Sequence, residues 1–246
     1  MAVKAVVEWV ARSLRYELRR RPSTDLSRSI LECAIKYHPL SKSQLLQDIF
    51  VLTVLREKRN GFFVEFGAGD GITNSNTYML EKEFGWTGIL AEPNRTFFQK
   101  LAGDRSCRVD SRCVWSASGE TLSFTETTEF GELSTITSFL ACDCHDRSEK
   151  GPIEYQVETV SLNDILIEHR APPKIDYLSI DTEGSELEII RALDFSQWHF
   201  NVITAEHNWV EATRAEIHGL LSSHGYCRVM TMHFDDWYIK NDLLRG

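Results

Sequence analysis

The densest chemistry in the chain lies in eight residues, Val64-Glu65-Phe66-Gly67-Ala68-Gly69-Asp70-Gly71. An acid and three alternate glycines close a β-rich run. Glycines let a backbone turn tightly and approach a ligand with no Cβ in the way. A dinucleotide fingerprint would place its third glycine at position 72, which is Ile. One carboxylate stands before the first glycine and another, Asp70, inside the loop. That arrangement suits a ligand with positive charge and no phosphate. S-adenosylmethionine, with its sulfonium and amino group, is such a ligand.

Three more acidic positions follow at strand ends. Glu92 closes the next strand, 23 residues after Gly69, the place from which an acid hydrogen-bonds a ribose. The plainer reading is an acid at a helix start before Pro93. Asp181 ends a buried run, and Glu206-His207 ends another. If those strands are neighbours, Asp181, Glu206 and His207 converge. They would then hold a divalent metal such as Mg²⁺, or supply a general base, His207 being the natural one, or form only a hydrogen-bonded sheet edge. Cys142-Asp143-Cys144-His145 offers zinc donors but no second spaced pair, so zinc is disfavoured. A Gly-x-Ser-x-Gly elbow and a phosphate-binding Gly-Lys-Ser/Thr loop are both absent.

The elements that must position these residues read as an alternating series. Helices are expected over 2–20, 25–37 and 43–58. Then strand 61–67, helix 76–84, strand 87–92, helix 95–103 and a strand over 107–115 follow one another. Residues 118–160 break the pattern. They hold short strands at 121–125 and 154–160 and a Ser/Thr-rich stretch of lid or substrate-loop character. Alternation resumes with helix 161–169, strand 174–181, helix 186–193, strand 200–206 and helix 210–224. An antiparallel pair, 226–232 and 237–240, closes the chain. The sum is an α/β doubly wound sheet, Rossmann-like and mostly parallel, with an antiparallel C-terminal strand and N-terminal helices before it.

The whole chain of 246 residues carries a net charge of −9, which argues against nucleic acid as the partner. The first 21 residues run the other way, with six basic and two acidic side chains. Their apolar residues recur at helical spacing. The segment reads as a helix packed on the domain with a solvated basic face, or else as a membrane-surface or homo-oligomer contact. Six cysteines without a CxxC pair suggest a reducing, cytoplasmic setting. Glu8 and the late basic residues speak against a signal peptide.

Taken in order, Ser43-Gln44 with Gln47-Asp48, Gly61–Gly71, Ser75-Asn76-Thr77 with Leu80-Glu81, Gly85-Trp86-Thr87-Gly88, Glu92-Pro93-Asn94, Asp181-x-Glu183-Gly184-x-Glu186 and Glu206-His207-Asn208 resemble the FkbM-type methyltransferase family. The likeness runs from about Ser43 to Tyr238. It divides the chain into a helical extension, 1–40, and a methyltransferase domain, 41–246. It implies a class I methyltransferase fold and S-adenosylmethionine-dependent transfer to a hydroxyl of a sugar, glycan or secondary metabolite. By position, Glu65, Gly67, Gly69 and Asp70 would cradle the methionine end and Glu92 the ribose. Asp110 and Cys113 would border the adenine, and Asp181 would face the transferred methyl. Ala68, Asn76 and Pro93 join the same cofactor set, and Gln44 and Asp48 would help close it. Two other classes remain open. One is a catalytically silent binding or regulatory module, which the intact acids disfavour. The other is a dinucleotide oxidoreductase, which Ile72 disfavours.

Overall fold

Buried β-rich runs bounded by polar turns become the central strands. The computed structural model describes residues 24–127, 131–140 and 151–244. The expected helix over 2–20 and the Cys142–His145 cluster lie outside the described residues. Strand β1 (Phe62–Phe66) is buried along its whole length, as a strand covered on both faces must be. Its parallel neighbours are β2 (Thr87–Ala91) on one side and β8 (Lys174–Ile180) on the other. The full sheet runs β10-β11-β9-β8-β1-β2-β3. Here β3 is Arg108–Asp110, β9 His199–Glu206, β10 Tyr226–Met232 and β11 Asp235–Lys240. Only β11 runs against its neighbours. Strand order reverses between β1 and β8, so a crevice opens there at the carboxyl ends.

Helices cover both faces. Helices α1 (Thr24–Tyr37) and α2 (Gln47–Val54) bury Ile30, Cys33, Ala34, Ile49 and Phe50 in one core with Phe63, Tyr177 and Trp237. On that side too lie α3 (Tyr78–Phe84) and α4 (Arg95–Asp104), which bury Leu80 and Leu101 in the same core. Helices α5 (Leu162–Glu168), α6 (Glu186–Ala192) and α7 (Glu211–Ser223) bury Ile165, Ile189 and Leu221 with Val64, Leu178 and Ile203 on the opposite face. Adjacent residues of β1 thus point into different cores, as the two-residue period of a strand requires.

Two expectations are corrected. The helix expected from Ser43 begins only at Gln47. Leu46 is left-handed at φ 68°, and the Gln47 side chain accepts the Leu45 N–H at 3.0 Å. The strand expected over 107–115 is two strands. Asp110 accepts the Arg112 N–H at 2.9 Å, and this local turn ends β3. The chain then enters a second sheet, β4-β7-β5-β6, built from Cys113–Trp115, Ile153–Ser161, Thr121–Glu126 and Thr135–Ile136. Its strands β5 and β7 are the pair expected at 121–125 and 154–160. The sheet they join was not expected. No described helix is long and apolar enough to cross a membrane.

Candidate active site

The glycine turn packs on β8 so closely that no side chain fits. A Cβ on Gly67 would lie 1.6 Å from the Asp181 carbonyl oxygen, and its φ is +71°. In return, Asp181 N–H donates to Phe66 O at 3.2 Å. The ends of β1 and β8 are thereby clamped together at the point where strand order reverses.

A cavity of about 400 Å³ opens beside this clamp, a volume ordinary for a small-molecule site. Gln44, Glu65, Gly67, Ala68, Gly69 and Asn76 line one part of it; Glu92, Pro93 and Cys113 line another. Asp181 and Glu206 stand on the far wall with Glu183. Of the residues singled out in the sequence, Asp48, Asp70, Asp110 and His207 are not on the wall.

Glu92 is buried, and each of its oxygens already accepts one backbone N–H. Gly69 N–H and Asn94 N–H each donate to one of its oxygens at 2.8 Å. Burial outweighs those bonds and pushes its carboxyl up to about 7. A second lone pair on each oxygen is available to a hydroxyl donor. Glu65 works differently. Its oxygens accept from Ser75 Oγ, Asn76 N–H and Thr77 Oγ1 at 3.2, 2.7 and 2.5 Å, so it organises the loop after the glycine turn. Burial raises its pKa, against Arg105 and these donors.

Asp70 is turned into its own loop, accepting the Ile72 and Thr73 N–H groups at 2.9 and 2.7 Å. Those bonds overcome its partial burial and hold it below the usual carboxylate range. Asp110 is also occupied. Burial would raise it, but Arg112 and His169 outweigh that, at 2.7 and 3.1 Å from Oδ2. Cys113 does reach the cavity, and burial pushes its thiol up to about 12, which leaves it no thiolate and no nucleophilic role. Asp48, in the first turn of α2, is fully buried, with Oδ2 lacking a hydrogen-bond partner.

The converging trio differs from the expected one. Asp181, Glu183 and Glu206 bring one carboxylate oxygen each within 4.8 Å of one another. His207 does not join them. Its side chain is 1% exposed and faces Asp236, with Nε2 3.9 Å from Oδ1. Burial lowers its pKa to about 4, so it is neutral at physiological pH. Its Nδ1 accepts the Trp209 N–H at 3.2 Å. The physical reason is that Glu206 is the last residue of β9 and His207 continues the extended chain beyond it, its N–H on Phe234 O at 2.7 Å, so the two side chains leave on opposite faces. Burial and Asp181 both raise Glu206 well above the ordinary range, and the pair share a hydrogen bond. Asp235 stands opposite Glu206 in the β11 register. Burial raises it likewise, although Trp237 and Gln47 donate to it at 2.9 and 3.0 Å.

Sequence reasoning missed Glu183 as a wall residue. It sits two places after Asp181, and its positive φ of 59° before Gly184 folds it back toward the cavity. The Asp-x-Glu-Gly spacing carried that signal. The far cover, residues 131–136, falls within the 118–160 stretch read as of lid or substrate-loop character, although no spacing singled out its residues. Thr135 Oγ1 fastens this cover to the acidic loop by donating to Glu183 O at 2.8 Å.

Residues 65–228 match the sequence model of the methyltransferase FkbM domain. The chain belongs to that family. It is therefore an FkbM-domain protein with the fold of S-adenosylmethionine-dependent methyltransferases, and the family implies that cofactor. Solved structures include similar folds. An FkbM methyltransferase from Methylobacillus flagellatus is 12% identical with a TM-score of 0.43, over 84% of this chain and 59% of that one. This chain thus spans less than two thirds of that protein's length. A precorrin-6y C5,15-methyltransferase from Geobacter metallireducens is 12% identical with a TM-score of 0.40, over 78% and 85%. A SAM-dependent methyltransferase from Aquifex aeolicus is 11% identical with a TM-score of 0.39, over 83% and 96%. No curated protein matches in sequence.

Proposed function

We propose that this FkbM-domain protein transfers the methyl group of S-adenosylmethionine to a hydroxyl of a neutral small molecule, a sugar or a secondary metabolite. One observation carries the reading. The cavity joins a glycine-turn side, with Glu92 as an open acceptor, to a wall of close carboxylates, Asp181, Glu183 and Glu206. The residues fit the cofactor: Glu92 accepts ribose hydroxyls, the Gly67–Gly69 backbone admits close approach, and the acids balance a cationic ligand.

When bound, the cofactor supplies an electrophilic methyl on a sulfonium. This chain's residues would hold the acceptor oxygen in line with that methyl and take up the proton it loses. The hydroxyl proton must leave, and the Asp181–Glu206 pair is our proton acceptor in place of His207. An ionised Asp181 accepts it, and Glu206, sharing the hydrogen bond, steadies the charge. The walls align the acceptor and exclude water, which is most of what an in-line displacement needs.

A divalent cation is the second reading, favoured by the 4.8 Å carboxylate trio. It would take Glu183 where the sequence suggested His207, and would lower the pKa of a bound alcohol. Calorimetric titration with S-adenosylhomocysteine, followed by tritiated-methyl transfer to a panel of alcohols with and without EDTA, tests both. Asp181→Asn should leave cofactor binding measurable and lose about 100-fold or more in turnover. Full turnover in Asp181→Asn would remove the proposed base. Cofactor binding with no transfer to any hydroxyl would favour the silent-module alternative.

A further inference from the structure

The acidic wall is braced from behind by a residue that the proposed chemistry leaves unused. Asn208 follows the end of β9 by two places and is 4% exposed. Its φ is 44°, in the left-handed region. Asparagine is among the few side chains that tolerate this conformation. Its Nδ2 donates to Glu206 Oε2 at 2.9 Å and to Glu183 Oε2 at 3.3 Å. One amide group thus bridges two carboxylates that stand at the ends of different strands.

The bridge joins parts that are otherwise fixed separately. Glu206 is held by the pairing of β9 with β8 and β11. Glu183 stands on the loop after β8 and is itself left-handed at φ 59°. Glu186 holds that loop on one side. Its Oε1 accepts Thr182 N–H at 2.8 Å and Thr182 Oγ1 at 3.0 Å, and both of its oxygens accept Gly184 N–H at 3.1 Å. Thr135 holds the Glu183 carbonyl on the other side. Those ties fix the loop; the Asn208 amide bonds the Glu183 carboxylate itself.

The kind of donor matters as much as its place. Asp181, Glu183 and Glu206 bring oxygens within 4.8 Å of one another, and like charges that close oppose ionisation. A Lys or Arg between them would donate hydrogen bonds but also add positive charge, which favours the ionised carboxylates and weakens them as proton acceptors. An amide nitrogen offers two N–H donors and no charge. It orients the carboxylates and spares their basicity. Asparagine therefore meets two demands at one position, a left-handed backbone and an uncharged double donor.

We propose that Asn208 is a positioning residue for methyl transfer, its amide setting the Glu206 carboxylate against Asp181 and holding Glu183 beside them. This rests on the reading of the Asp181–Glu206 pair as proton acceptor. A displacement of about 1 Å at a reacting group costs on the order of 100-fold in rate. The effect therefore belongs in kcat and not in cofactor affinity.

The test uses the full chain and tritiated-methyl transfer from S-adenosylmethionine to glycerol, benzyl alcohol and methyl glucopyranoside. Asn208→Gly removes the amide and suits the backbone. It should lower kcat about 10- to 100-fold, with KM and S-adenosylhomocysteine affinity nearly unchanged and the melting point within a few degrees. Asn208→Asp keeps the shape without the donor and should fall at least as far. In the Asp181→Asn background, Asn208→Gly should cost almost nothing more, because both act on one proton acceptor. A role in folding alone would multiply the two losses. Amide NMR reads the bridge without turnover: the side-chain amide signals lost in Asn208→Gly should shift in Glu183→Gln and in Glu206→Gln. Undiminished kcat in Asn208→Gly would overturn the inference and leave the proton-acceptor reading intact. Parallel losses of kcat, S-adenosylhomocysteine affinity and melting point would also overturn it. Full turnover in Asp181→Asn would instead remove the reading beneath it, and the inference with it.

Discussion

Burial pushes the Glu92 carboxyl up to about 7, so its charge changes near neutrality. A ribose hydroxyl donates better to the ionised form. S-adenosylhomocysteine affinity should therefore fall as pH drops from 8 to 6, and calorimetry across that range would record it. Glu92→Gln should bind more weakly and lose the pH dependence. A wild type with flat affinity would mean that Glu92 does not contact the ribose. Glycine requirements were legible at this scale, since Gly67 stands in a spaced motif. The direction of Asp70, Asp110 and His207 was not. A sequence shows that a carboxylate or imidazole sits at a strand end; it does not show which local N–H or guanidinium claims it. Asp70 is claimed by Ile72 and Thr73, and Asp110 by Arg112. Each such claim takes the group out of service for a ligand.

Among elements, α4 and the loop after the glycine turn depend on one buried cation. The Arg105 side chain is wholly buried and bonds Glu81 Oε2 at 2.7 Å, Gly71 O at 2.9 Å and Thr77 Oγ1 at 2.9 Å. It joins the end of α4, the start of α3 and the loop that Glu65 organises. Removing one partner of such a pair leaves the other charged and unsatisfied. Arg105→Met should cost about 3–5 kcal/mol in urea unfolding, and the surviving fold should bind cofactor weakly because the 71–77 loop is loosened. A loss under about 1 kcal/mol would show that the bridge is replaceable. Gly67→Ala should do worse, about 4 kcal/mol or more, since its Cβ has nowhere to go. Element order and the parallel β1-β2 and β8-β9 pairs were readable from alternating apolar runs and turn residues. The split of 107–115 was not, because a two-residue turn hides inside an unbroken strand-like pattern. Nor was the second sheet, whose pairing of β4 with β7 joins residues more than forty apart. Local periodicity carries no information at that range.

Across the whole molecule, buried acids set the response to pH. Burial raises Asp48 to about 6 and Glu92 to about 7, and raises Glu65, Glu186, Glu206 and Asp235 as well. Each keeps its proton in the folded chain at a pH where the unfolded chain has released it. The folded state then binds more protons, so stability falls as pH rises from about 4 toward 7. Asp70, Glu81, Asp110 and Asp236 work the other way. Burial opposes them, but their hydrogen bonds hold them below the usual range. Their contribution is lost only as pH falls below about 4. His207 also opposes the first group. Held at about 4 against an ordinary 6.5, it adds stability as pH rises through that interval. One imidazole against six raised carboxyls leaves the slope downward. The cofactor-free protein should therefore melt highest near pH 4 and several degrees lower at pH 8. Saturating S-adenosylmethionine should move that optimum upward, because a cation in the cavity favours the ionised acids and expels their protons. Asp48→Asn, remote from the cavity wall, should flatten part of the slope with or without cofactor. Thermal melts at unit pH steps, with both ligand states and the variant, separate these contributions. A cofactor-free optimum at pH 8 would mean that the buried acids are ionised and paired in the folded protein, and would count against the shared proton between Asp181 and Glu206.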